Sequence, residues 1–384
     1  MNVPLLRPPF RADHIGSLLR PAALKTAREE LLGAHTSSGA VAPHDNARLR
    51  AIEDACIRDA IAMQERAGLQ ATTDGELRRR SFILELILSW EGVKVDRTGN
   101  PRIPWRNERG STQPFMQMTA TKRITWRSSA VLRAFEFLKV NTKVTPKVTI
   151  RAPSTVHYHF GGFDDETRAV YADPDLFWDD LISAYRQELA ALAAAGATYI
   201  QLDDTSIAFL CDPVHREYVR TWGVDPHSLL LTYAEKINAA IADLPDHVYV
   251  TLHHCRGNRE GHWAAEGGYD PVAEVLFNAV DVDGYLLEYD TERAGGFEPL
   301  RLLPKGEKRV VLGLVSSKSA VLEEADDLER KIERAAAFAP LDQLGLSPQC
   351  GFSSSVGGNA LDERAQEAKL RRIVEVAERV WGGL

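Results

Sequence analysis

Short apolar or β-branched runs, each ending in polar residues, alternate along this chain with longer stretches whose apolar residues recur every three to four positions. The short runs are Phe10–Ser17 (FRADHIGS), Leu69–Glu76 (LQATTDGE), Lys147–Ser154 (KVTIRAPS), Thr198–Asp204 (TYIQLDD), His247–Cys255 (HVYVTLHHC), Val282–Asp290 (VDGYLLEYD), Arg309–Lys318 (RVVLGLVSSK) and Leu344–Cys350 (LGLSPQC). Each has the length and composition of a strand. The longer period predicts helices over Asp175–Gly196, Pro226–Leu244 and Leu361–Gly383. Eight strands separated by helices, with no glycine-rich phosphate turn after the first, predict a (β/α)8 TIM barrel rather than a doubly wound sheet. The alternation breaks between about residues 81 and 145, where Arg123–Val140 and a proline-rich piece intervene. This predicts an insertion after the second strand, with its own hairpin, walling or capping one barrel face. No fixed-period repeat or long Gly/Ser or Pro-rich linker divides the chain, so residues 1–384 read as a single domain.

Composition narrows the function. An apolar content of 44% and a charged content of 26% are those of a soluble globular chain. A net charge of −8 argues against nucleic acid as a partner, because phosphate binders usually carry a basic stripe. The one short basic run, Leu77–Ser81 (LRRRS), reads as a solvated helix start or an anion-facing turn. The N-terminus lacks the charged and apolar regions of a signal peptide, and no run is long enough to cross a bilayer. Cys56, Cys211, Cys255 and Cys350 have no small-scaffold spacing, which predicts reduced thiols in the cytoplasm. Cys56 and Cys211 read as buried, inert thiols. A homo-oligomer is left open.

The strand ends carry the chemical argument. In a TIM barrel the active site lies at the C-terminal ends of the strands. Here those ends read Ser17, Glu76, Ser154, Asp203 with Asp204, His253 with Cys255, Glu288, Lys318 and Cys350. Side chains two apart on a strand share a face, so His253 and Cys255 can converge where His254 cannot. With Glu288 from the next strand and Cys350 from the last, they make a donor set suited to tetrahedral Zn²⁺. The thiolates weigh against Mg²⁺ or Ca²⁺. His14 precedes the first strand end and is a candidate to touch substrate, and His157 with His159 would line the rim or lie on a loop.

At these residues the chain resembles the cobalamin-independent methionine synthases, and specifically their catalytic C-terminal barrel. The resemblance runs along nearly the whole chain, through RADHIGSLLRP, TTDGELRRRS, YIQLDD, HHCRGN, WAAEGGYDPVAEVLFN, VDGYLLEYD, VVLGLVSSK and LSPQCGF. It implies a zinc ion on His253, Cys255, Glu288 and Cys350. It also implies an amino-acid thiol gripped by Ile15, Gly16 and Ser17, by Glu76 and by Asp203. The partners are then a small thiol, homocysteine in the first place, and an alkyl donor.

Zinc-bound thiols lose their proton near neutral pH and attack an electrophilic carbon, which is S-alkyl transfer. Hydrolytic zinc sites keep histidines, carboxylates and an open water position, so two cysteines weigh against hydrolysis. Two departures bear on the donor. The full methionine synthases are double barrels, whereas this chain has room for the catalytic one. Their proton-donating histidine after the seventh strand has no counterpart here, where Ser316, Ser317 and Lys318 stand. The epoxyalkane:coenzyme M transferases share the H-x-C and late-cysteine pattern, but Glu76 and Asp203 suit an ammonium group better than a sulfonate. A barrel that only binds a thiol or metal is the remaining alternative, and the full set of rim residues weighs against it.

Overall fold

The computed structural model describes residues 7–32, 46–79, 81, 84–129, 131–355 and 357–383; Arg80 of the basic run and Phe82–Ile83 near the start of the insertion lie outside these. Among the described residues the strands are β1 (Ala71–Thr72), β2 (Glu91–Arg106), β3 (Thr112–Thr125), β4 (Thr145–Arg151), β5 (Tyr199–Asp204), β6 (Tyr249–His254), β7 (Gly284–Glu288), β8 (Arg309–Val315) and β9 (Leu344–Pro348). Seven of them form one parallel sheet in the order β1-β4-β5-β6-β7-β8-β9, and β2 pairs with β3 in a separate antiparallel hairpin. The three helices expected from periodicity span Pro174–Ala194, Pro226–Ile241 and Glu363–Trp381. Asp173, Asp225 and Asp362 cap them by accepting backbone N–H groups of the first turn, and Gly382 closes the last in a left-handed conformation.

Two expected strands differ from the sequence reading. Phe10–Ser17 forms no strand. Its backbone pairing with the sheet is one parallel bridge between Ala12 and Leu346, with Asp13 N donating to the Leu346 carbonyl at 3.0 Å and Leu346 N to the Arg11 carbonyl at 2.7 Å. The cause is local: the Asp13 carboxylate accepts from the backbone N–H of Phe10 (3.2 Å) and of His14 (2.7 Å), groups that a ladder would otherwise use. The second run, Leu69–Glu76, contributes only Ala71–Thr72, because Asp74 turns the chain by accepting from Glu76 N at 2.9 Å.

Register divides the side chains into two faces. Lys147 pairs with Tyr199, Thr149 with Gln201, and Arg151 with Asp203, which in turn pairs with His253. These residues share the inward face. The alternate set, including Val148, Ile150, Ile200, Leu202, Val250, Leu252, Leu287 and Leu312, packs outward against the helices in one large core. On the inward face Ile15 packs with Leu286 and Val311, and Phe10 with Ala71 and Tyr199. The hairpin joins the large core through Trp105, Phe115 and Met118. It is also stitched to the loop after β6, where Arg106 and Trp263 exchange two backbone hydrogen bonds of 2.8 Å.

At the inward base, Lys147 Nζ lies 2.9 Å from Asp13 Oδ1 with both side chains fully buried, and Tyr199 donates its hydroxyl to Asp13 Oδ2 at 2.7 Å. Burial acts to raise the Asp13 pKa, but Lys147, His14 and the Tyr199 hydrogen bond outweigh it and hold the value below normal. Removing one partner of such a pair leaves a buried unpaired charge, so Asp13→Asn is expected to lower unfolding stability by about 3–5 kcal/mol. A carboxylate with a depressed folded pKa contributes stability above its unfolded value of about 3.9 and loses it as pH falls. Urea unfolding between pH 3 and pH 7 is therefore expected to show a smaller acid-side loss in Asp13→Asn than in the unaltered protein.

Candidate metal centre

The ends of β6 and β9 meet at the inward rim. One ligand atom each of His253, Cys255 and Cys350 lies within 4.8 Å of the others, and all three residues are buried. The two sulfurs are 3.7 Å apart. Two thiolates each about 2.3 Å from a tetrahedral ion would stand about 3.8 Å apart, so the pair already has the required spacing. His253 Nδ1 is 3.1 Å from the Leu286 carbonyl, which can only accept, so the neutral ring carries its proton there. Its Nε2 is then a buried lone pair, and it has no hydrogen-bond partner. An orphaned imidazole nitrogen beside two thiols fits a soft divalent ion. Cys350 is held well below the usual thiol value, first by its hydrogen bond with Cys255 and then, against burial, by the His253 ring. The same bond, together with burial, pushes Cys255 well above it.

Glu288 is not brought into this group. Its carboxylate accepts from Arg256 N at 2.6 Å and from Arg293 Nη2 at 3.0 Å, and Lys318 Nζ lies 3.7 Å away. Burial acts against the charge, yet Lys318, Arg256 and Arg293 hold its pKa at about 2.

Beside the metal residues lies a pair of carboxylates. Asp203 is the register neighbour of His253. Burial, reinforced by the nearby Glu76, lifts its pKa to about 7, although Gln201 Nε2 donates to it at 2.7 Å. The same Gln201 amide donates to the Ile15 carbonyl at 2.7 Å, tying the Ile15–Ser17 turn to Asp203. Glu76 accepts from the Thr149 hydroxyl at 2.8 Å through Oε1, while its Oε2 is buried with no hydrogen-bond partner. An unsatisfied buried carboxylate oxygen near a second carboxylate suits an ammonium ligand. Gly16 closes the turn at φ +132°, where a Cβ would stand 2.7 Å from Thr149 Cγ2 and 3.6 Å from Glu76 Oε1. The Ser17 carbonyl accepts from Phe352 N at 2.9 Å, and the Ser17 side chain presses on Gly351, beside Cys350.

The other candidates lie elsewhere. His14 packs at the base: its Nε2 is 3.3 Å from the Ala71 carbonyl, and its own carbonyl accepts from Lys147 at 2.5 Å. Burial, then Lys147, lowers its pKa to about 4. Asp204 faces outward and accepts from Ser154, Thr155 and Ser206. His157 and His159 are on the helix Pro153–Phe160 rather than on a loop, stacked on Trp178 and Phe115 respectively at centroid distances of 4.6 Å. Cys56 and Cys211 are buried, and burial pushes Cys211 up to about 11.

Three contributors escaped the sequence reading. Arg256 is fully buried over the Tyr269 ring at 4.2 Å and bonds the Gly267 and Ala294 carbonyls. Asn258 donates to Ser317 Oγ (3.2 Å) and to the Gly351 carbonyl (3.1 Å), joining the loops after β6, β8 and β9. Both sit inside the quoted H-H-C-R-G-N stretch, which was their only signal. Arg293 had none.

Comparison with known proteins places this geometry. Residues 13–379 match the family described as cobalamin-independent synthase, catalytic domain. The chain is 39% identical to the uncharacterized protein YxjG of Bacillus subtilis over 382 residues, covering 98% of this chain and 96% of that one. It is similar at 34% identity to the putative vitamin-B12 independent methionine synthase of Listeria monocytogenes, whose crystal structure superposes with a TM-score of 0.75 over 97% of this chain and 98% of that one. The methionine synthase of Pyrococcus abyssi is 26% identical over 327 residues, covering 85% of this chain and 81% of that one.

The turn at Gly16 yields a direct test. Gly16→Ala combines a positive φ with a 2.7 Å approach to Thr149, so it is expected to lose about 1–3 kcal/mol of stability in urea unfolding. Unfolding at the unaltered midpoint would mean that the turn relaxes at no energetic cost.

Proposed function

The chain belongs to the family of cobalamin-independent methionine synthase catalytic domains and is a methyltransferase; on that premise we propose that it is zinc-dependent and methylates the sulfur of homocysteine to give methionine. The observation that carries this reading is the adjacency of Asp203 to His253 in the sheet register, which sets an ammonium-binding carboxylate pair beside a two-thiol, one-imidazole metal site. One amino-acid thiol can address both at once. His253, Cys255 and Cys350 would hold the ion, which when bound lowers the proton affinity of a coordinated thiol and makes it nucleophilic near neutral pH.

The protein's own groups do the rest. Glu76 and Asp203 orient the acceptor by its ammonium group, each contact worth about 1.5–3 kcal/mol when desolvated. The Ile15–Ser17 turn supplies the wall behind it, held by Gln201 and Phe352. His253 is kept in its metal-binding tautomer by the Leu286 carbonyl. Phe10–Ser17 would complete an eight-membered barrel as its first stave, and residues from about 81 to 145 would act as a cap within a single domain; the stitch between Arg106 and Trp263 supports the capping role. Four free thiols support a reducing, cytoplasmic setting, and no helix among the described residues is long and apolar enough to cross a membrane.

The donor follows from the leaving group. A tertiary amine leaves badly unless it is protonated, and in place of a proton-donating histidine stands Lys318, whose Nζ lies 3.7 Å from the Glu288 carboxylate. A sulfonium donor needs no such proton.

Two measurements test the reading. Metal analysis after gel filtration is expected to find about one zinc per chain, with occupancy falling sharply in Cys350→Ser and in Cys255→Ser while circular dichroism is unchanged. Full retention of zinc by both variants would refute the site. At fixed homocysteine, mass spectrometry of thioether products is expected to show transfer from a sulfonium donor and weak or no turnover with 5-methyltetrahydrofolate. Efficient methylfolate turnover would contradict the donor assignment, and alkylation of coenzyme M by a small epoxide in place of homocysteine methylation would replace the acceptor.

A further inference from the structure

Arg79 belongs to the short basic run Leu77–Ser81, yet it is buried, with 7% of its surface exposed. Burial acts against its charge, but Glu76, Asp74, Glu85 and Asp203 outweigh that cost and hold its pKa above normal. Arg79 and Glu76 nevertheless do not form a forked ion pair, because Arg79 Nη1 stands 3.7 Å from Glu76 Oε1. The Thr149 hydroxyl links them, accepting from Arg79 Nη1 at 3.1 Å and donating to Glu76 Oε1 at 2.8 Å. A guanidinium can only donate, so the single hydroxyl proton is committed to Glu76. Oε1 is thereby engaged, while Oε2 is buried without a hydrogen-bond partner. A bidentate pair would have consumed both oxygens.

The backbone under this carboxylate is held as well. Glu76 has φ +56°, a left-handed conformation uncommon for a residue with a side chain. Asp74 accepts from its N–H at 2.9 Å, and its carbonyl accepts from Arg79 N and Arg20 Nη2, both at 2.9 Å. Thr149 is also the register partner of Gln201, which donates to Asp203 at 2.7 Å. Two neighbouring residues of the inward face therefore direct one carboxylate each.

We propose that Thr149 and Arg79 are positioning residues that present Glu76 Oε2 to the acceptor's ammonium group, and so make the site selective for thiols with an α-amino group over thiols without one. Arg79 sets the direction of the Thr149 proton, and Thr149 sets the rotation of the carboxylate. The inference rests on the acceptor reading given above and deepens it. Arg79 Nε is itself buried without a hydrogen-bond partner, which leaves the guanidinium a rival task, holding the carboxylate of an amino-acid thiol.

Two truncated substrates separate these roles. 4-Mercaptobutyrate is homocysteine without its ammonium group, and 3-aminopropanethiol is homocysteine without its carboxylate. Titration calorimetry of all three into the purified, zinc-loaded full chain is compared with Thr149→Val, Thr149→Ser and Arg79→Met, with metal content and circular dichroism checked in every sample. The unaltered protein is expected to bind homocysteine more tightly than 4-mercaptobutyrate. Thr149→Val and Arg79→Met are each expected to weaken homocysteine and 3-aminopropanethiol about tenfold, the size of one lost hydrogen bond to a charged group, and to leave 4-mercaptobutyrate unchanged. Thr149→Ser, which keeps the hydroxyl, is expected to restore the unaltered affinities. If Arg79→Met does not fold, Thr149→Val decides alone, since it removes the hydroxyl at nearly constant volume and leaves every charge in place. Homocysteine affinity unchanged in folded Thr149→Val would overturn the proposal. Equal weakening of homocysteine and 4-mercaptobutyrate would also overturn it, by giving Arg79 the acceptor's carboxylate. An unaltered protein that binds 4-mercaptobutyrate as tightly as homocysteine, or binds neither, would instead bring down the acceptor reading itself, and this inference with it.

Discussion

A parallel strand shows every second side chain to the same face, and the functional arrangement depends on that constraint. Because Arg151, Asp203 and His253 are register partners across β4, β5 and β6, they stand side by side on the inward face. Asp204 and His254, one residue on, face outward. There His254 Nδ1 lies 3.1 Å from the Asp204 carbonyl, and Asp204 braces the helix start at Ile207. A slip of one residue would exchange the two sets and abolish the site while leaving the strands intact. Sheet register thus positions Asp203 and His253, and the loops add Cys255, Cys350 and Glu76 to the candidate site.

The same face concentrates charge where water is excluded, and the structure answers each charge locally. Lys147 meets Asp13 at the base, Glu288 meets Arg256, Arg293 and Lys318 at the rim, and Arg20 spends its guanidinium on the carbonyls of Leu18, Glu76, Arg79 and Ser353. Among the described residues, His253 Nε2 and Glu76 Oε2 are buried without a hydrogen-bond partner, and burial lifts the pKa of the adjacent Asp203 to about 7. Unsatisfied buried polar atoms are uncommon and call for a partner. In the proposed function they are the atoms that a metal and an ammonium group would satisfy.

Much of this was legible in the sequence because it rests on local patterning. The two-residue spacing of His253 and Cys255 indicated that they could converge, as their ligand atoms do, and apolar runs with polar ends located seven of the strands. Phe10–Ser17 misled because its alternation is genuine, but Asp13 takes the backbone donors that pairing would require. The environment of Glu288 was out of reach for a different reason. Its partners come from residue 256 before it and from residues 293 and 318 after it, and spacing alone does not reveal which cations close on a carboxylate. His14 was expected to touch substrate from its adjacency to Ile15–Ser17 in sequence; its Nε2 lies against the Ala71 carbonyl, a contact that spacing did not reveal.

The central claim is that one thiol amino acid engages the metal and the carboxylate pair together. Zinc-edge X-ray absorption on the purified protein, before and after addition of homocysteine, tests it most directly. The account predicts two sulfur neighbours rising to three, with the third lost in Asp203→Asn at the same homocysteine concentration. A sulfur count that stays at two on saturation with homocysteine would contradict it.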